Sequence, residues 1–330
     1  MIRADQVGFK GETPDDLDAL ASFAQGFADG KALTREQWLE ERGRGIGGSD
    51  APVVLGLSPW KTRLELWGEK SGTIPAPVLD SDAVEMGHEL EPIALRRYAK
   101  KSGRPAVAWP STLIVQHADP AFPWALCTPD GLTFDRDRGL GLVQVKTTGE
   151  YNRDDWEEGV PLHVEAQVQH EMEVTGATWA TVVVLIGGRS IKWFDLVPLP
   201  GFVAVMLERE ADFWSHVVER RQPVVTAHDA AVGQKELGRT LAKLHGDDNG
   251  DTVLLGSEAV AWDERLRAIK EEQKELQAER ETLEALIVSR IGPATVGVLP
   301  NGRAYSWKSW TRNGYTVGPT SGRTLRQVGH

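Results

Sequence analysis

Residues 140–147 read LGLVQVKT, and between 142 and 146 apolar and polar positions alternate: Val143 and Val145 point one way, Gln144 and Lys146 the other. A strand repeats its side-chain direction every second residue, which sets Gln144 and Lys146 about 7 Å apart on one face. The apolar pair is expected to turn inward and the polar pair to meet whatever sits above the sheet. Residues 104–117 and 122–134 read as further strands with a bend between them. The run WATVVVLIGG reads as a buried central strand, and Gly187-Gly188 turn it back into IKWFDLVP as its partner.

Helical spacing occupies the segments between. Thr34 and Gln37 form a capping-box pattern ahead of Trp38 and Leu39. In GRGIGGSDAPVVLGLSPWKT the glycines around Ile46 suggest a tight approach of backbone to something, and Ser49 or Asp50 caps a short helix through Leu55. Pro59 is the expected opening of the next helix, with Trp60, Leu64 and Trp67 at helical spacing. SDAVEMGHELEPIALRRYAKKSG is a further helix and carries Glu91; PLHVEAQVQHEMEVTG places Val164, Val168 and Met172 on one face; residues 201–221 are amphipathic. This order of helices and strands predicts an α/β core with a mixed central sheet flanked by helices.

Length permits one large domain, or one domain plus an appendage. The second reading divides the chain into an arm over 1–33, a main domain over 34–222 and an extension over 223–330. Within the extension, Leu266, Ile269, Leu276, Leu283 and Ile287 approximate heptad positions on a helix from Trp262 to Ile291. Such a helix is about 45 Å long. Gln273 and Arg280 interrupt its seam, so a coiled coil and a helix packed on its own chain are both open. The final segment interleaves Arg303, Lys308, Arg312, Arg323 and Arg326 with Tyr305, Trp307, Trp310 and Tyr315. It reads either as a single-strand-binding tail or as a small β-element docked on the long helix.

Cys127 is the one cysteine, which excludes a disulfide framework and any four-cysteine cluster and fits a reducing, cytoplasmic compartment. No signal peptide or membrane-spanning run is evident, so a soluble protein with no membrane partner is expected. A formal net charge of -11 argues against coating nucleic acid through bulk positive charge. It is compatible with a nuclease, because holding a hard cation requires carboxylates.

That chemistry has a candidate location. Asp130 lies in a Pro-Asp-Gly turn, and thirteen residues separate it from the Gln144-Val145-Lys146 triplet. A metal-dependent phosphodiesterase needs oxygen ligands for a cation such as Mg²⁺ and a lysine that positions water or neutralises charge building up on phosphorus. Asp130, Gln144 and the Val145 carbonyl offer the oxygens, and Lys146 the ammonium. Each residue alone has a plainer reading: a hairpin turn for Asp130, a solvated strand edge for Lys146, a surface charge for Arg42, helix caps for Ser49 and Asp50, and an exposed helical face for Gln167 and Gln169. His163 and His170 stand seven apart without a third soft ligand, which argues against a metal pair. Trp60, Trp67 and Trp156 read as packing residues.

Asp130 with the 144–146 triplet resembles the PD-(D/E)xK nuclease motif. IGGSDAPVVLGLSPWKTRLELWGEKSG, MGHELEPIA, CTPDG, QVKTT and AQVQHEMEVTG fall in the order and spacing of the YqaJ-type phage recombinases, relatives of lambda exonuclease. The resemblance covers about residues 34–222. It implies a PD-(D/E)xK core, Mg²⁺ or Mn²⁺ as cofactor, and a 5′ to 3′ exonuclease that acts on double-stranded DNA ends. It also implies a single-strand annealing partner, a possible homo-oligomeric ring, and the cytoplasm of a bacterial host with phage or prophage origin. By the same resemblance Asp130, Glu91 and Gln144 hold metal together with the Val145 carbonyl, and Lys146 is the catalytic lysine. Arg42, Ser49 and Thr128 bind the terminal 5′ phosphate, Gln167 and Gln169 border the site, and Asp119 is a further acidic candidate. Gln144 departs from the pattern, where the family has glutamate, and leaves the site one charge short. Glu91 or Glu165 is expected to make up that charge; the alternative is a catalytically weakened scaffold that binds DNA ends, and a third reading is an endonuclease of the same fold.

Overall fold

A computed structural model describes residues 1–3, 33–75, 82–225, 234–245 and 250–309, with isolated positions 5, 20, 22, 24, 26 and 229. Most of the 1–33 arm and the tail residues Trp310, Arg312, Tyr315, Arg323 and Arg326 lie outside the described residues. The chain divides into two compact units, Met1–Gly246 and Asp247–His330.

The first unit is built on a five-stranded sheet of order β2-β5-β6-β7-β8. Its strands are β2 (Ala106–Ala108), β5 (Gly131–Asp135), β6 (Gly139–Thr148), β7 (Ala180–Ile186) and β8 (Ser190–Leu196). All neighbours pair antiparallel except β6 and β7, which are parallel, so the sheet is mixed as the PD-(D/E)xK resemblance implies. Antiparallel neighbours need only short turns, and Gly187 and Gly188, both at positive φ, make the one between β7 and β8. A parallel pair needs a long crossover, and the segment between β6 and β7 contains the helix α5 (Leu162–Thr175).

The helices preceding α5 are α1 (Arg35–Gly43), α2 (Ala51–Val54), α3 (Arg63–Lys70) and α4 (Asp82–Ser102); α6 (Pro200–Val218) and α7 (Gln234–Leu244) follow it. Every residue of β7 is buried, because helices cover both of its faces. Val182, Val184 and Ile186 share one cluster with Val164, Val168 and Met172 of α5. Val183 shares the other with Leu95 and Tyr98 of α4 and with Val143 and Val145. The same cover corrects the expectation for β6: Gln144 does not look into open space but is as buried as its apolar neighbours, at 3 % exposure.

The stretches 104–117 and 122–134 are not single strands. Pro110 ends β2 one residue after Trp109, and Pro129 separates β4 (Leu126–Cys127) from β5, since proline cannot donate to a ladder. The inner parts instead form a three-stranded sheet of β1 (Ile2–Arg3), β3 (Val115–Gln116) and β4. Pro59 does not open α3. Thr62 caps it, accepting from the Glu65 backbone N–H at 3.2 Å, which leaves Trp60 outside the helix and 68 % exposed rather than packed. Trp67 and Trp156 are core residues as expected.

The boundary between units falls later than 223, because α7 places Leu237 in the main hydrophobic cluster. The second unit consists of a long helix α8 (Glu258–Ile291) and a hairpin of β9 (Val296–Val298) and β10 (Ala304–Ser306). Gly297 of the hairpin rests against Ile291, so a β-element does meet the long helix. Leu266, Leu276 and Leu283 on the heptad face are exposed. Among the described residues no helix is long and apolar enough to cross a membrane.

Candidate active site

The turn Thr128-Pro129-Asp130 leads directly into β5, whose last pairing toward β6 is Gly131 with Val143. Asp130 therefore stands opposite the next stretch of β6, where that strand has lost its neighbour. Its Oδ2 accepts from the Val145 N–H at 2.7 Å and from the Gln144 side-chain amide. A residue's N–H and C=O point to the same side of a strand, so the Val145 carbonyl also faces this unpaired side. The opening quartet of the resemblance, Asp130, Gln144, Val145 and Lys146, thus meets in one cavity of about 450 Å³.

Helix α4 brings Glu91 to the same cavity, with His88 Nδ1 3.1 Å from Glu91 Oε1. From α5 come Gln167 and Glu171. Lys146 Nζ donates to Gln167 Oε1 at 2.9 Å, and Gln167 Nε2 donates to Glu171 Oε1 at 2.8 Å. Three carboxylates beside one ammonium leave an excess of negative charge, and their protonation reflects it. Burial and then the Asp130 charge raise the Glu91 carboxyl above its ordinary range. Burial and Asp130 push Glu171 up to about 8, against the pull of Gln167 and Lys146. Burial raises Asp130 itself, and the Lys146 charge and the Val145 N–H only partly oppose it.

The other wall is positive. Arg35 and Arg42 from α1 hold their guanidinium carbons 4.4 and 5.2 Å from the Trp38 ring centre, and Trp38 Nε1 donates to Thr128 Oγ1 at 3.3 Å. The predicted Thr34–Gln37 capping box is formed and sets the start of this helix. Arg42 Nη2 donates to Ser49 Oγ at 2.7 Å, so the two residues proposed for a terminal phosphate are already side by side. Beneath them, the buried Lys70 ammonium binds Asp50 Oδ2 at 2.8 Å and the Arg42 carbonyl at 2.9 Å. Asp50 turns its side chain to Lys70 and to the Gly47 N–H instead of capping α2. Burial disfavours its charge, but Lys70 and Arg42 outweigh that and hold the carboxyl far below the usual range.

Eight predicted side chains line the cavity: Arg42, Ser49, Glu91, Thr128, Asp130, Gln144, Lys146 and Gln167. Gln169 does not. It is buried on another face of α5, where its amide donates to the Val197 carbonyl at 2.9 Å and accepts from the Leu199 N–H at 2.9 Å. Asp119 is engaged in its own turn, accepting from the Ala121 N–H, and neither it nor Glu165 reaches the cavity. Residues that sequence reasoning passed over are Glu171, His88 and Arg35. Glu171 was detectable in principle, four residues after Gln167 on the same helical face.

The donor chemistry fits a hard divalent cation. Among the described residues no three His, Cys, Asp or Glu side chains close on one point, so a cation here would draw on amide and backbone oxygens as well as carboxylates. Two buried oxygens, Gln144 Oε1 and Glu171 Oε2, have no hydrogen-bond partner among the described residues. In the arrangement described, the Gln144 amide nitrogen faces Asp130; a half-turn of the amide exchanges nitrogen for oxygen.

Comparison with known proteins agrees with the motifs. Residues 37–178 match the YqaJ-like viral recombinase domain. The chain is 30 % identical over 294 residues to the uncharacterized protein YqaJ of Bacillus subtilis (strain 168), covering 88 % of each. It is similar in fold to the alkaline exonuclease LHK-Exo of Laribacter hongkongensis, at TM-score 0.47 and 20 % identity over 63 % of this chain and 99 % of that one. LHK-Exo in complex with dAMP aligns at TM-score 0.47 and 19 % identity, over 62 % of this chain and 99 % of that one. With the identity to YqaJ spread over nearly its full length and the domain match spanning α1 to α5, the chain belongs to the YqaJ-like viral recombinase family.

Proposed function

We propose that this protein is a metal-dependent deoxyribonuclease that resects linear duplex DNA from its ends, 5′ to 3′, leaving 3′ single strands for recombination. The observation that carries this reading is the junction of an acidic wall and a basic wall in one cavity, with Lys146 hydrogen-bonded through Gln167 to Glu171 on the acidic side. A cation held by Asp130, Glu91, Gln144 and the Val145 carbonyl, Mg²⁺ or Mn²⁺, would polarise the scissile phosphate and acidify water. Lys146, fixed by Gln167, places its ammonium where negative charge accumulates on the phosphoryl oxygens. Arg42 and Ser49, with Arg35 and Thr128 beside them, bind the terminal phosphate and set the distance from the strand end to the bond cut. Trp38 keeps both guanidinium groups oriented.

The reading extends to the partners a resecting enzyme requires: a single-strand annealing protein to take the exposed 3′ strand, and a homo-oligomeric ring to retain the duplex. Phage or prophage origin and action in the cytoplasm of a bacterial host go with it. A second reading, an end-binding scaffold with little cutting, draws on the Gln144 amide donating to Asp130.

The deciding experiment incubates the protein with Mg²⁺ or Mn²⁺ and linear duplex carrying separate labels on each strand end, beside a supercoiled circle. Release of mononucleotides from the 5′-ended strand, with the circle intact, is expected. Binding without release supports the scaffold, and nicking of the circle supports an endonuclease.

A further inference from the structure

Strand β6 carries an amide at position 144 where the site has most use for a charge, yet the cavity holds an acid that no part of the motif accounts for. Glu171 is 2 % exposed. Its Oε1 is held by Gln167 Nε2 at 2.8 Å, while its Oε2 is buried without a partner among the described residues. Gln144 Oε1, 3 % exposed, is in the same condition. Buried acceptors are ordinarily satisfied, so two orphans lining one cavity point to an absent electropositive group.

The surroundings also press closely on Glu171. The backbone at Gly48 lies so close that a Cβ there would stand 2.5 Å from Glu171 Oε1. Glycine lets this loop close over the carboxylate, where a larger residue would push the side chain aside. The carboxyl is therefore held near Asp130 at the cost of burial, and its charged form is unfavourable there without a compensating cation.

We propose that Glu171 supplies the carboxylate that Gln144 withholds, so that a cation ligand has moved from strand β6 to helix α5. Asp130 and Glu171 then bring charge to the cation and Gln144 a neutral oxygen, while Glu91 adds its charge from the α4 side of the cavity without the three carboxylates closing on one point. The proposal rests on the reading of the cavity as a divalent-cation site, and its test separates the two.

Mn²⁺ binding to the full chain is measured by calorimetry without DNA, with D130N as control. E171Q preserves an acceptor for Gln167 and removes only charge; it is expected to weaken Mn²⁺ at least about tenfold, and Q144E added to E171Q to restore it. If D130N loses Mn²⁺ and E171Q binds as wild type, Glu171 is not a ligand while the cation site stands. If wild type binds no Mn²⁺, both readings fall. Q144E alone covers the case in which E171Q does not fold. With Glu171 already present it should gain less than about threefold, and a gain of about tenfold would overturn the proposal.

Discussion

Replacing Lys146 by methionine keeps most of the side chain's length and removes its charge. Lys146 Nζ has one hydrogen-bond acceptor, Gln167 Oε1 at 2.9 Å, and the side chain is partly buried in the cavity wall. Losing that bond costs about 1 kcal/mol of stability, which the fold tolerates. The catalytic cost is larger. A unit charge about 4 Å from an ammonium gains about 4 kcal/mol at an effective dielectric of about 20. If half to all of a charge develops there in the transition state, the loss is about 2–4 kcal/mol, or about 30- to 1000-fold in rate. Single-turnover release from 5′-labelled duplex measures the rate, and anisotropy in Ca²⁺ measures end binding. Binding should change little, because Arg42, Ser49 and Trp38 make none of their hydrogen bonds to Lys146. A K146M rate within about threefold of wild type, with binding intact, would refute the role.

Three further outcomes follow from particular contacts. K70M strands the buried Asp50 carboxylate, so urea unfolding should show a loss of about 3–5 kcal/mol, and the preference for a 5′-phosphate over a 5′-hydroxyl end should shrink as Arg42 loosens. His170 is held between Glu210 Oε1 at 2.9 Å and the Leu126 carbonyl at 3.0 Å. Burial opposes its charge, but Glu210 and the carbonyl prevail and set its pKa at about 9. That is above the ordinary value of about 6.5, so the stabilisation is complete below pH ~6.5 and is lost as pH rises through ~9. Unfolding midpoints from pH 6 to 10 should fall in wild type, and E210Q should lack this fall while costing about 3–5 kcal/mol at neutral pH; an E210Q profile parallel to wild type would reject the assignment. Trp60, edge-on to His163 with ring centres 5.0 Å apart, packs on nothing that W60A would collapse. That change should leave the melting temperature alone yet weaken single-strand binding by about 1–3 kcal/mol in anisotropy, and unchanged affinity would exclude stacking there.

What the sequence made legible follows from how local each signal is. The β7–β8 hairpin needs only an apolar run and two glycines, and the capping box at Thr34 needs two residues three apart, so both were readable. The start of α3 was misplaced because proline and threonine compete as helix openers over four positions, and Thr62 has Glu65 to cap. The division of 104–134 between two sheets depends on partners distant in the chain, Ile2 for Val115 and Thr133 for Ala106, which no local pattern encodes.

The site shows the same limit more sharply. Gln167 and Gln169 look like a pair because they are two apart, but two residues on a helix are about 200° apart. Gln169 accordingly faces the β8–α6 connection, while the residue that shares Gln167's face is the one four further on, Glu171. Nearly the whole circumference of α5 is buried, so no polar face marks which side belongs to the cavity. Only the contact of Gln167 with Lys146 fixes that side. Once it is fixed, His163, Gln167 and Glu171 fall on one line at intervals of four. The acid proposed to stand in for Gln144 then lies where helical periodicity would put it, four residues after Gln167, whereas Glu165, two residues before Gln167, is turned away from the cavity.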